Sequence, residues 1–157
     1  MSDIHLFECV TEWTGAVSGP ASDYQTYSRD HRIQFEGRPA IEASSAPAFV
    51  GDPNRLNPEE MLTGALSSCQ MLTYLAVMAR SRIPVVAYTD KATGYMEKGE
   101  DGKMWVTRVT LRPQITLQAG ASIERATALI DKAHHNCFIA NSVKTQVVIE
   151  PTFIQVG

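Results

Sequence analysis

From Met61 to Ala79 no residue carries a charge, and Met61, Leu62, Ala65, Leu66, Cys69, Leu72, Ala76 and Ala79 recur at three- and four-residue steps. That is the period of one helix face. The stretch opens as Asn57-Pro58-Glu59-Glu60, which reads as an N-cap, a proline at the first helical position and a carboxylate at N3 able to close a capping box. It closes as Arg80-Ser81-Arg82-Ile83-Pro84, where basic residues complement the helix C-terminus and proline stops it. The pattern predicts a helix over 57–82 with Cys69 on its inward stripe. About 20 apolar residues suffice to span a bilayer, but Thr63, Gly64, Ser67, Ser68, Gln70 and Thr73 interrupt this run. A buried central helix is expected instead.

Elsewhere the pattern is strand-like. His5 to Trp13 alternates loosely and ends in Thr14-Gly15, an expected edge strand in which Cys9 packs. Tyr24 to Phe35 reads as extended, with Arg29 and Arg32 inside it. Gly37 to Leu56, rich in Pro, Ser, Ala and Gly, is expected to be a long irregular connection. Val85 to Glu97 and Met104 to Leu117 flank the polar turn Lys98 to Lys103 and predict a hairpin, with Pro113 pointing to an edge or a bulge. Ser122 is placed to cap a second helix whose inward positions are Ile123, Ala126, Ile130 and Ala133, and the next step of that pattern lands on Cys137. Thr145 to Ile149 forms a short apolar strand closed by Pro151. The order predicts an α+β fold, two helices packed on antiparallel sheets.

At 157 residues the chain is expected to form one domain over 1–157, within the usual range of roughly 100 to 200 residues. The net charge of −3 and the lack of a Lys/Arg run argue against nucleic acid or an anionic membrane as partners. Met1 to His5 has no basic region followed by an apolar one, so no signal peptide is visible and the cytoplasm is expected. Three cysteines without a CxxC pair exclude a dense disulfide scaffold and leave catalytic, metal-binding or buried thiols.

Cys69 and Cys137 occupy corresponding inward positions of two helices that share a core, which puts their sulfurs within possible disulfide reach. A thiolate that attacks a peroxide becomes a sulfenic acid, and a second thiol condenses with it. The attacking thiol needs a cation or hydrogen-bond donors beside it in an apolar site. Arg29 and Arg32 are candidate cations, and Glu59 is placed to orient one. A metal site from His134, His135, Cys137 and Cys69 is a rival, weakened by the lack of paired CxxC or HxxxH elements. Ser67 and Ser68 do not form a G-x-S-x-G elbow. A further rival is a non-catalytic dimer that binds a small apolar ligand or senses oxidation.

These residues also carry a resemblance. Asn57-Pro58-Glu59-Glu60 with Cys69 ten residues after Glu59 in Ala65-Leu66-Ser67-Ser68-Cys69, then Ala133-His134-His135-Asn136-Cys137 and Asn141-Ser142-Val143, resembles the OsmC/Ohr family along almost the whole chain. The segments around Tyr27 to Arg32 and Ser44 to Pro53 look like a less characterised OsmC-like branch. The resemblance implies a thiol peroxidase reducing organic hydroperoxides, built as an intertwined homodimer with active sites at the subunit interface. By that resemblance Cys69 is the peroxidatic thiol, Cys137 the resolving thiol, and Glu59 the carboxylate holding an activating arginine. Ser28-Arg29-Asp30 resembles the Arg-Asp of the Ohr branch and favours Arg29, with Arg32 second. No cofactor is expected, and the reductant is an external dithiol, lipoyl by family resemblance. Met61, Leu62 and Phe49 are expected either to line the substrate site or to be ordinary core.

Overall fold

Asn57 Oδ1 accepts the Glu60 N–H at 2.9 Å and Glu60 Oε2 accepts the Asn57 N–H at 3.1 Å, so the capping box read in the sequence is formed. It starts helix α1, Pro58–Arg80, in a computed structural model that describes residues 3–157. Part of the reading of the N-terminus rests on Met1 and Ser2, which lie outside the described residues. At its far end Arg82 takes a left-handed conformation (φ 56°), the Ile83 N–H reaches Met78 O at 3.0 Å, and the Arg82 N–H reaches Ala79 O at 3.0 Å. This is a Schellman stop, with Ile83 as its apolar clasp.

The chain divides into two compact units, the first ending at Met61 and the second spanning Leu62–Gly157. In the first, β1 (Val10–Trp13), β2 (His31–Gln34) and β3 (Ile41–Ala43) form an antiparallel sheet in that order. β1 is at the edge, as expected. Cys9 is exposed rather than packed, because among the described residues the pairing of this strand begins only at Val10. β3 and a 3-10 turn at Pro47–Phe49 lie within the predicted irregular connection. Three residues are too few for an alternation to be read.

The second unit holds β4 (Val85–Asp90), β5 (Thr93–Lys98), β6 (Met104–Leu111), β7 (Pro113–Gln118), α2 (Ile123–Asn136), β8 (Gln146–Ile149) and β9 (Thr152–Val156). The predicted hairpin is two-storeyed. β5 and β6 pair antiparallel, while β4 and β7 pair antiparallel in a different sheet. The ribbon changes sheet at Ala92 and Arg112, where Asp90 Oδ1 accepts the Arg112 N–H at 2.7 Å.

β8 lies parallel to β6 and β9 parallel to β7, so two sheets are mixed, where the pattern led us to expect antiparallel ones. β9 was not foreseen, since Pro151 reads as a stop. It marks instead the point where this strand, too, changes sheet, with Glu150 bonded to Arg112 at 3.0 Å alongside the first crossing. Pro113 is buried in the central strand of the order β4-β7-β9 and not at an edge. It is tolerated as the first residue of its strand.

Two clusters make the core. Tyr74, Val77 and Met78 of α1 pack with Ala126, Ile130 and Ala133 of α2 and with Ile115 and Leu117 of β7. Leu66 packs with Val106, Val109 and Leu111 of β6. Burying each large side chain contributes about 1.5–3 kcal/mol.

The buried line on α1 is therefore Leu66, Gln70, Tyr74, Val77 and Met78. Ala65, Leu72, Ala76 and Ala79, read as inward, are exposed. α1 is apolar on most of its circumference, so overlapping stripes compete, and the one with the bulkiest side chains takes the core. By length and composition α1 alone among the described helices suffices to cross a membrane. On α2, Ala126, Ile130 and Ala133 are buried as expected, whereas Ile123 in the first turn is exposed.

Candidate active site

Cys69 lies mid-way along α1, half-buried, and Cys137 is buried at the C-cap of α2. Both thiols are free. Beyond Cys137 the chain turns through a 3-10 turn at Ala140–Ser142. The Asn141 N–H donates to Cys137 O at 3.0 Å, and the turn carries the Ile139 N–H to 3.5 Å from Cys69 Sγ.

Burial pushes the Cys69 thiol up, but the Ile139 N–H, the Cys137 thiol, the Thr73 hydroxyl and the Phe138 N–H all favour the thiolate, and its net pKa lies below the ordinary thiol value. Cys137 is pushed up to about 11, by burial first and then by its hydrogen bond to the Cys69 sulfur. One sulfur accepts and the other donates. Their protonation preferences are thereby separated.

Cys69 opens into a groove of about 700 Å³ whose apolar walls are Leu72, Ala76 and Val77 of α1 and Phe138 beyond α2, with Arg80 and Lys132 as its cations. Phe138 is 82% exposed and Leu72 61%. Of the two readings open for Leu62, lining or core, the structure gives core, since it packs against the Leu66 cluster. The helix face that the core leaves free does the lining.

In the first unit Arg29 is buried to 9% exposure. Its guanidinium donates to Tyr27 O at 2.7 Å and to Tyr24 O, and stacks on the Tyr27 ring at 3.9 Å and the Tyr24 ring at 4.8 Å. Arg29 and Glu59 line one pocket of about 290 Å³, with Trp13, His31 and Ser44. Arg32, one residue past His31 on the opposite face of β2, is exposed and bonded to Glu42 at 2.5 Å. The two candidate arginines thus have different surroundings, one enclosed and one in a surface network that also joins Arg55 to Glu42.

Sequence reasoning missed the Phe138 and Ile139 amides, because a main-chain donor has no residue signature. The tyrosines that cage Arg29 were visible, at two and five residues before it. His134 and His135 line a separate hollow of about 380 Å³ with Asp131 and Asn141. Among the described residues no three His, Cys, Asp or Glu side chains converge in a way that suits a metal ion.

A family profile described as "OsmC-like protein" matches residues 51–152, which include α1, both helix-borne thiols and β4 to β8. The chain belongs to the OsmC-like family. An OsmC-like protein of unknown function from Vibrio cholerae is 38% identical, covers 95% of this chain and 100% of its own, and superimposes with a TM-score of 0.87. An organic hydroperoxide resistance protein from Elizabethkingia anophelis is 21% identical over 99% of this chain and 100% of its own, with a TM-score of 0.73, and shares the fold. The uncharacterised YmaD of Bacillus subtilis is 27% identical over 70% of this chain and 75% of its own. The OsmC-like assignment accounts for the α+β architecture.

Proposed function

We propose that this OsmC-like protein is a cysteine-dependent peroxidase that reduces organic hydroperoxides to alcohols. The observation that carries the reading is the division between the two thiols: Cys69 is stabilised as thiolate by donors that include the Ile139 N–H at 3.5 Å, while Cys137 retains its proton beside it. The likeness to proteins named for organic hydroperoxide resistance points the same way.

In the reaction, the Cys69 thiolate attacks one peroxide oxygen. An S–O bond forms, the O–O bond breaks, and the departing alkoxide takes a proton to leave as alcohol. Cys137 then gives up its proton and attacks the sulfenic sulfur, forming the S–S bond while hydroxide leaves as water. An external dithiol, lipoyl in the family pattern, reduces the disulfide by exchange. The apolar walls of the groove favour an organic hydroperoxide over hydrogen peroxide.

Arg29 is assigned the cation that binds the peroxide, oriented by Glu59. Its enclosure beside Glu59 supports this role, and the engagement of Arg32 with Glu42 argues against the alternative. We assign the working form to an intertwined homodimer in the cytoplasm. Exposed apolar side chains such as Phe7, Val17, Leu72 and Phe138 support a second copy as their cover.

Non-catalytic binding of an apolar ligand is the competing reading, favoured by the volume of the groove alone. Pre-reduced protein treated with one equivalent of cumene hydroperoxide and mapped by peptide mass spectrometry separates the two. A Cys69–Cys137 disulfide, with hydroperoxide consumed catalytically once dithiol is present, is the expected result. Thiols left free would overturn the peroxidase reading.

A further inference from the structure

Asn141 and Ser142 take no part in the chemistry above, yet both spend their side chains on the main chain around Cys137. Asn141 Nδ2 donates to His135 O and to Cys137 O, each at 2.9 Å. His135 O lies in the last turn of α2, where helical donors run out, and Cys137 O lies at its C-cap, where it also accepts the Asn141 N–H at 3.0 Å. The Ser142 hydroxyl donates to Phe138 O at 2.7 Å. Phe138 C=O and Ile139 N–H are the two ends of one rigid peptide plane. Holding the oxygen on Ser142 therefore sets the direction of the N–H, and that N–H meets Cys69 Sγ at 3.5 Å.

We infer that Asn141 and Ser142 are positioning residues for the Cys69 thiolate: together they clamp the turn after α2 so that the Phe138–Ile139 peptide presents its N–H to the sulfur. The Asn141 bridge fixes where the chain leaves the helix, and the Ser142 bond fixes the rotation of the peptide. A peptide that is hydrogen-bonded at its oxygen is also the stronger donor at its nitrogen. The turn acts as an anion cradle built from main chain and held by two exposed side chains. The depressed pKa of Cys69 is consistent with it. The role in turnover rests on the peroxidase reading, whereas the cradle itself does not.

The other charged groups facing this region are Arg80 of α1 and Lys132 of α2 in the groove, and Asp131, His134 and His135 of α2 beside Asn141. None is altered by the variants used here. The test is the pH profile of Cys69 alkylation by iodoacetamide in the reduced full chain, read by peptide mass spectrometry, with exposed Cys9 as reference in the same digest.

Asn141→Ala and Ser142→Ala are each expected to raise the Cys69 midpoint by on the order of half a unit to one unit, and Ser142→Thr, which keeps the hydroxyl, to restore it. An unmoved midpoint in both alanine variants overturns the assignment. Should one of them not fold, the other decides on the same criterion. Alkylation needs no peroxide, so a protein that fails to turn over hydroperoxide can still pass this test, and an active one can fail it.

Discussion

Cys69 and Ile139 stand 70 positions apart in the chain, and the main-chain N–H of one lies 3.5 Å from the sulfur of the other. A side chain from the middle of α1 is thus served by the backbone beyond α2. Cys137, two residues before Ile139, adds its own thiol to the same sulfur. The arrangement favours the thiolate at Cys69 and the protonated thiol at Cys137.

Exchange of either sulfur for oxygen separates their roles. Cys69→Ser is expected to abolish dithiol-dependent consumption of cumene hydroperoxide. Cys137→Ser is expected to give one rapid oxidation and then stall at Cys69 sulfenic acid or its over-oxidised forms. Stopped-flow kinetics with intact-mass analysis reads both outcomes, and sustained turnover by Cys69→Ser would remove this residue from the mechanism.

The opposite shifts of the two thiols order their reactivity with pH. Cys69 titrates below the ordinary thiol value and Cys137 near 11. Iodoacetamide labelling of the reduced protein should therefore reach its plateau at Cys69 well before labelling at Cys137 begins to climb. Coincident profiles would contradict the assignment of roles.

Arg29→Ala should slow hydroperoxide reduction with the fold intact, because Arg29 and Glu59 share a pocket. Arg32→Ala should leave both rate and melting temperature near wild type, since Arg32 is exposed in its ion pair with Glu42. Steady-state rates with circular dichroism decide. A normal rate in Arg29→Ala together with a slow one in Arg32→Ala would exchange their roles.

Tyr74 links the two helices by donating to Ala126 O at 2.9 Å, and burial raises its pKa to about 12. The folded chain keeps this proton over a range where the unfolded chain, with a tyrosine value of about 10, has lost it. Its contribution is complete below pH about 10 and is lost between there and about 12. Tyr74→Phe should cost about 1 kcal/mol at neutral pH and flatten the alkaline fall in stability. Urea unfolding at a series of pH values measures both effects.

Asn57→Ala removes the side-chain half of the capping box and leaves the Glu60 N–H without its acceptor. The expected loss is about 1 kcal/mol. Denaturant midpoints of this variant and of Asn57→Ser, which can still cap, check it. Equal losses in both would mean that the cap contributes through something other than its hydrogen bond.

Much of this protein is legible along the chain because local rules decide it. The start of α1 at Asn57, the cap of α2 at Ser122, where the Ser122 hydroxyl accepts the Arg125 N–H, and the placing of Cys69 on one helix and Cys137 at the end of the other all follow from spacing and capping chemistry within a few residues. What escaped the reading is non-local. An α1 that is apolar on most faces does not reveal which stripe the core will take, and the choice of Tyr74 and Met78 over Leu72 and Ala76 depends on the sheets that cover it. The parallel partners of β6 and β7, and the shared change of sheet at Arg112 and Glu150, arise from pairings across dozens of residues.

The sequence by itself determined which residue types are available, two thiols on two helices, and tertiary structure alone decided how they differ. A thiol's acidity is set by the burial and the hydrogen-bond donors around it, and the donors beside Cys69 include the Ile139 and Phe138 main-chain amides, a group that every residue but proline possesses.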